Sequence, residues 1–188
     1  MAPASIALIP GVELCLLEVE QAERIFEVVE RNRAHLREFL PWVDVSKEVG
    51  ATRGFLENHV KQRKHGQTFG YSIWEQERIV GMIDAHAIDA INHQGAVGYW
   101  LEERAQGRGL VTEATRRMLD VAFGEYGLER MEIRCAVDNV RSSRVPERLG
   151  FTFEGILRHS QLLNGRFVDL KLYSLLRSEF EAGRTRQM

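Results

Sequence analysis

The segment Arg104-Ala105-Gln106-Gly107-Arg108-Gly109-Leu110 carries the strongest chemical signal in the chain. Two glycines one residue apart let the backbone take positive φ and come close to a ligand. An amphipathic run begins at Leu110, so the loop opens a helix. The N–H groups of such a turn converge with the positive end of the helix dipole, which suits a phosphate or pyrophosphate. Arg104 and Arg108 add positive charge. A helix start that simply needs two glycines would look the same. A triphosphate loop is excluded because no Gly-Lys-Ser/Thr follows. The dinucleotide fingerprint is excluded because Thr112 stands three residues after Gly109.

A second signal is Asp138-Asn139-Val140-Arg141-Ser142-Ser143-Arg144-Val145-Pro146-Glu147-Arg148-Leu149-Gly150-Phe151. Asn139 suits a helix N-cap. Ser142 offers a hydroxyl near a strand end. Arg141, Arg144 and Arg148 recur at helical spacing, either as a solvated face or as a site for an anion such as a second phosphate. The two cysteines, Cys15 and Cys135, lie far apart in apolar strand-like runs and read as free buried thiols. The six histidines show no metal-ligand spacing, so no metal is expected.

Apolar periodicity supplies the elements around these segments. Val12–Glu18 reads as a strand, Gln21–Leu40 as a helix ended by Pro41, and Thr52–Lys64 as a second helix. Alternation over Phe69–Trp74, Ile79–His86 and Ala96–Leu101 predicts an antiparallel meander. Leu110–Tyr126 has the clearest apolar stripe, with Gly127 as its C-cap. Met131–Val137 follows as a strand, and a right-handed crossover makes it parallel to the strand before the loop. Residues 140–149 form a short helix. Asn164-Gly165 turns a final hairpin between Phe151–Leu163 and Phe167–Leu176.

The chain has 188 residues, 25 Lys+Arg against 27 Asp+Glu, and 44% apolar residues. That is one soluble α+β domain over 1–188, with loose ends at about 1–10 and 182–188. A net charge of −2 argues against a nucleic-acid binder. No apolar run approaches the ~20 residues of a membrane span, and a cytoplasmic location follows by default.

The two signals together, a Gln-x-x-Gly loop before a helix and then Asn-x-x-Ser with Leu-Gly-Phe, resemble the GNAT superfamily of acetyl-CoA-dependent N-acetyltransferases. Gly98-Tyr99-Trp100-Leu101, Thr112-Glu113-Ala114, Pro146-Glu147-Arg148-Leu149-Gly150-Phe151, Asn164-Gly165-Arg166, Tyr173-Ser174-Leu175-Leu176 and Phe39-Leu40-Pro41-Trp42 are similar to the branch that acetylates the N-termini of ribosomal proteins. The resemblance covers most of the chain. It implies a GNAT-like fold: a mostly antiparallel mixed sheet of about seven strands with a splayed parallel pair, flanked by helices. It implies acetyl-CoA as co-substrate, its pantetheine arm against backbone groups of Tyr99, Trp100 and Leu101. Gly98 would mark a bulge there. The pyrophosphate would rest on Gln106, Gly107, Arg108, Gly109 and Leu110, and Asn139 would contact the pantetheine. Acetyl passes directly from thioester to amine.

The resemblance also implies a serine at Ser142 that stabilises the departing thiolate, although Ser142 also reads as a capping residue. The base is harder to place. Relatives carry a carboxylate just before the Leu-Asn-Gly turn, where this chain has Gln161, which takes no proton. His86 is the candidate, acting through water. Glu102, Glu154, His159 and Tyr173 are further candidates. Trp42 walls either the acceptor site or the core. Three functions stay open: acetylation of a protein N-terminal amine, acetylation of a small amine (polyamine, antibiotic or amino-sugar), and a non-catalytic CoA-binding module. An acidic acceptor pocket, built from some of Glu30, Glu38, Asp44, Glu48 and Glu57, would favour cationic small molecules. A homodimer is implied by the branch alone.

Overall fold

The computed structural model describes residues 2–185. Eight strands, β1 (Ser5–Ile9), β2 (Val12–Leu16), β3 (Phe69–Glu75), β4 (Arg78–Asp89), β5 (Gln94–Leu101), β6 (Arg130–Ala136), β7 (Thr152–Leu163) and β8 (Arg166–Leu176), form one sheet. Their order is β1-β2-β3-β4-β5-β6-β8-β7. Among the described residues only β5 and β6 pair in parallel. The strand missing from the expected seven is β1, which pairs with β2 through Ser5↔Cys15 to Ile9↔Val12. It occupies the stretch expected to be a loose end. The alternation Ile6, Leu8 before the Pro10-Gly11 turn was its signal. At the other end helix α6 (Arg177–Thr185) takes up part of the expected tail, and 186–188 lie outside the described residues.

The helices are α1 (Ala22–Arg31), α2 (Arg33–Leu36), α3 (Val49–Lys64), α4 (Leu110–Gly124), α5 (Val140–Arg148) and α6. The single helix expected over Gln21–Leu40 breaks at Asn32, not at Pro41. Asn32 leaves helical geometry at φ −113° and turns its side-chain N–H onto the Val28 carbonyl at 2.8 Å. Asparagine competes with the helix in this way because its short amide reaches the backbone. Pro41 instead starts a 3₁₀ turn, Pro41–Asp44.

The sheet has an apolar cluster on each face. Helix α4 buries Leu110, Ala114, Met118 and Leu119 against Tyr71, Ile83, Val97 and Ile133. On the opposite face α1, α2 and α3 bury Ile25, Val29, Leu36 and Leu56 against Met82 and Trp100. Residues alternate between the two faces along β5, so Val97 and Tyr99 face α4 while Trp100 faces α1. At the final hairpin Asn164 and Gly165 both take positive φ, 50° and 80°, as a two-residue type I′ turn requires.

Candidate active site

The parallel ladder between β5 and β6 is short: Gln94↔Arg130, Gly95↔Met131 and Ala96↔Glu132. Beyond Ala96 the strands part. Residues 97–101 stay paired to β4, while β6 stays paired to β8 as far as Ala136↔Leu170. Beside this splay a cleft of about 970 Å³ runs past Tyr99, Leu101, Gln106, Gly109, Asn139 and Ser142. The expected bulge at Gly98 is absent. Gly98 pairs regularly with Asp84, and the irregularity on β4 falls between His86 and Asp89.

One end of the cleft is the glycine loop. Gly107 and Gly109 sit at φ 76° and 78°, where a side chain is strained. Gly109 directly precedes the first turn of α4. The side chain of Arg108 is not among the cleft-lining residues and pairs with Glu75 at 2.6 Å. Cleft-lining cations come instead from α5, which presents Arg141, Arg144 and Arg148 on one face. Arg141 donates to Gln106 Oε1 at 2.7 Å. Gln106 Nε2 lies 2.7 Å from His35 Nε2 on α2, so its one amide links three walls. His35 had no mark in the sequence, because its partner is 71 residues away.

At the inner end Asn139 caps α5, its Oδ1 accepting the Ser142 N–H at 3.1 Å. Ser142 Oγ lies 3.1 Å from the Tyr99 hydroxyl, which also donates to the Ser142 carbonyl at 3.1 Å. Burial pushes the Tyr99 phenol well above its ordinary pKa, so it stays protonated. The sequence points to the backbone of Tyr99; the structure adds its hydroxyl, which contacts Ser142. Cys135 is a buried free thiol and Cys15 a partly buried one.

On the other face of β5, His86 sits opposite Ala96, where the parallel ladder ends. It does not line the cleft itself. Its Nδ1 is 3.2 Å from Asp84 Oδ2, and that hydrogen bond lifts its pKa above the ordinary histidine value. Trp42 stands 6.3 Å from Trp100, tilted at 55°, and packs behind it rather than in the cleft.

The other base candidates have structural partners. Glu102 is buried between Arg78 and Arg31. Arg130 and Ser174 hold Glu154 down to about 2. Burial, with Glu147 as acceptor, pushes Tyr173 up to about 12. His159 stacks on Phe167. The acids near the N-terminal helices do not converge either. Glu30 pairs with Arg33, Asp44 with Arg37, and only Glu38 of the five lines the cleft.

A parallel pair that splays beside a left-handed glycine pair at a helix N-terminus is the architecture of a CoA-dependent acyltransferase. Residues 12–152 match the family described as Acetyltransferase (GNAT) domain, and the chain belongs to that family. It is an acetyl-CoA-dependent N-acetyltransferase.

Several of its relatives are named for the acetylation of ribosomal proteins. The Bacillus subtilis protein YdaF is 33% identical over 170 residues, covering 88% of this chain and 91% of its own. The ribosomal-protein-serine acetyltransferase of Escherichia coli is 27% identical, covering 87% and 92%. Among solved structures, the ribosomal L7/L12 α-N-protein acetyltransferase RimL with coenzyme A superposes with a TM-score of 0.89 at 26% identity, over 93% of this chain and 99% of that one. The microcin C7 self-immunity acetyltransferase with acetyl-CoA and AMP gives 0.86 at 27% identity, over 93% and 97%.

Proposed function

We propose that the acceptor is the N-terminal α-amine of a protein, a ribosomal protein in the first place. The observation that carries this is the composition of the acceptor side of the cleft. Leu36, Phe39, Leu40 and Trp100 line it, with two acids among them, Glu38 and Glu103, the latter held to the helices by its N–H on Asn32 Oδ1. A polyamine or amino-sugar carries several charges and polar groups whose desolvation such a wall would not compensate. A peptide terminus carries one ammonium and brings apolar or small side chains. The names of the E. coli serine acetyltransferase and of RimL support the same acceptor.

In this reading the pantetheine arm pairs with the β5 backbone at Tyr99, Trp100 and Leu101, which the splay leaves without a β6 partner. The pyrophosphate takes the amides of Gln106 to Leu110, and Asn139 flanks the arm. Ser142 donates a hydrogen bond to the thiolate as the C–S bond breaks. His86 takes a proton from the ammonium. Trp42 supports the acceptor wall from behind Trp100.

Arg144 and Arg148 line the cleft without an ion-pair partner among the described residues, which suits a further phosphate of the co-substrate. Replacing both with Gln raises the KM for acetyl-CoA about tenfold and leaves kcat nearly unchanged, since a bound phosphate far from the thioester contributes uniformly. An unchanged KM removes the arginines from the site.

The acceptor is tested by acetyl-CoA turnover, read as free thiol, on peptides starting with Ser or Ala and on spermidine and amino-sugars. A peptide wins by about tenfold or more in kcat/KM, equivalent to about 1.4 kcal/mol of differential transition-state binding. A small amine winning by that margin overturns the protein acceptor. CoA binding with no turnover on any of these amines overturns the protein terminus as acceptor and points to an amine of another class.

A further inference from the structure

We infer that Asp84 and His86 act as an oriented carboxylate–imidazole pair, in which Asp84 is the positioning residue that leaves His86 Nε2 free to take the acceptor's proton. The inference rests on the reading of His86 as base and extends it to Asp84.

Four observations carry it. First, Asp84 Oδ2 is 3.2 Å from His86 Nδ1. An ionised carboxylate only accepts hydrogen bonds, so the imidazole hydrogen of the neutral ring sits on Nδ1 and the lone pair on Nε2. Second, the pair shares a face with the acceptor wall. The register Met82↔Trp100, Asp84↔Gly98, His86↔Ala96 puts all six on the face of Trp100 and Trp42, opposite to Tyr99 and Ser142. Proton acceptor and thiolate donor therefore lie on opposite sides of β5, as a reaction with an incoming amine and a departing thiolate needs.

Third, the pair overlies the start of the splay. A Cβ on Gly98 would lie 3.1 Å from both Asp84 Oδ1 and His86 Cε1, and glycine there leaves the pair its room. Fourth, the His86 side chain is 48% exposed, so the imidazole is open to an amine or an intervening water.

The charged neighbours do not compete. Arg134 on β6 faces His86, but it is bonded to Glu132, whose oxygens also take Arg130. From α3, His59 also faces the pair, and burial keeps it neutral by lowering its pKa. Its tautomer is fixed as well. Thr68 gives its one hydrogen to the Ala85 carbonyl at 2.6 Å, so His59 Nε2 must donate to Thr68. The β5 residues opposite, Ala96 and Gly98, carry no charge.

The proton balance closes. The ammonium gives one proton to His86 Nε2, which returns it to solvent. The freed lone pair forms the N–C bond, and the C–S pair leaves on sulfur. A second proton lost from nitrogen as the amide forms equals the one that sulfur gains beside Ser142.

The test uses the full chain, with Asp84→Asn, His86→Gln and the double variant. Circular dichroism and CoA affinity check that each folds. Rates are measured on whichever amine the wild type turns over fastest. His86→Gln lowers kcat/KM about 100-fold and removes the acidic limb of the pH profile. Asp84→Asn lowers it about tenfold or more and moves that limb to lower pH, because the carboxylate that raised the imidazole is gone. The double variant is no slower than His86→Gln, since the two act as one unit.

A second readout needs no acceptor: NMR titration of the His86 Cε1–H shows a midpoint above free histidine that falls in Asp84→Asn. An unmoved titration and limb in Asp84→Asn, or losses that multiply in the double variant, overturn the pair. A small amine outpacing peptides changes the acceptor and leaves this result standing.

Discussion

Ser142→Ala lowers kcat by about 100-fold while the KM for acetyl-CoA changes by less than about threefold. The reason is the moment at which the hydroxyl matters. Sulfur bears no charge in the thioester and a full charge when the C–S bond has broken. A donor aimed at sulfur is therefore stronger in the transition state than in the ground state, and its loss falls on kcat. The hydroxyl is already positioned, with Asn139 fixing its backbone and its hydrogen resting on the Tyr99 oxygen, from which it turns to sulfur as charge develops. Tyr99→Phe keeps the ring and releases the hydroxyl, and its kcat lies between wild type and Ser142→Ala. Steady-state kinetics at saturating acceptor separates the outcomes. If Ser142→Ala raises KM and spares kcat, the serine only caps α5 and positions the arm.

Gly81→Ala gives the largest structural effect. A Cβ at Gly81 would lie 2.5 Å from the Trp100 carbonyl oxygen and 3.1 Å from Leu101 Cα. Both are backbone atoms of β5, so no rotamer relieves the clash. Beyond Ala96, β5 has no β6 partner to hold it, and the strand gives way toward the cleft. The change costs about 3 kcal/mol of stability, the upper range for overpacking, and raises the KM for acetyl-CoA as well. The urea midpoint of unfolding reads the first effect and initial rates the second. Gly54→Ala is the control. Gly54 lies on the exposed side of helix α3 with nothing within 4 Å of an added Cβ, so the alanine stabilises by up to about 1 kcal/mol. Equal midpoints for the two variants would show that β5 tolerates the methyl.

The two changes also divide what is legible in the chain from what is not. Local signals were readable. The α4 stripe, the Asn164-Gly165 turn, the glycine pair, the Asn139 cap and the parallel crossover each rest on a few neighbouring residues and one backbone rule. From these the GNAT fold follows. Contacts that cross the sheet were not readable. Nothing near Gly81 announces that the Trp100 carbonyl will press on it, and nothing near Asp84 announces Gly98. The split at Asn32 was missed because an apolar stripe continues past it, and the stripe reports burial rather than backbone continuity. The partner of Arg108 is hidden for a related reason: the side chain is long enough to reach Glu75 on β3.

The amide of Gln106 has a thermodynamic consequence. It touches His35 on α2 and Arg141 on α5, and it has one nitrogen and one oxygen with which to do so. A ligand that draws it toward one wall weakens its hold on the other. Any free energy of coupling that passes through this side chain is the same whichever ligand binds first. A cleft tied together in this way treats its two occupants as parts of one equilibrium.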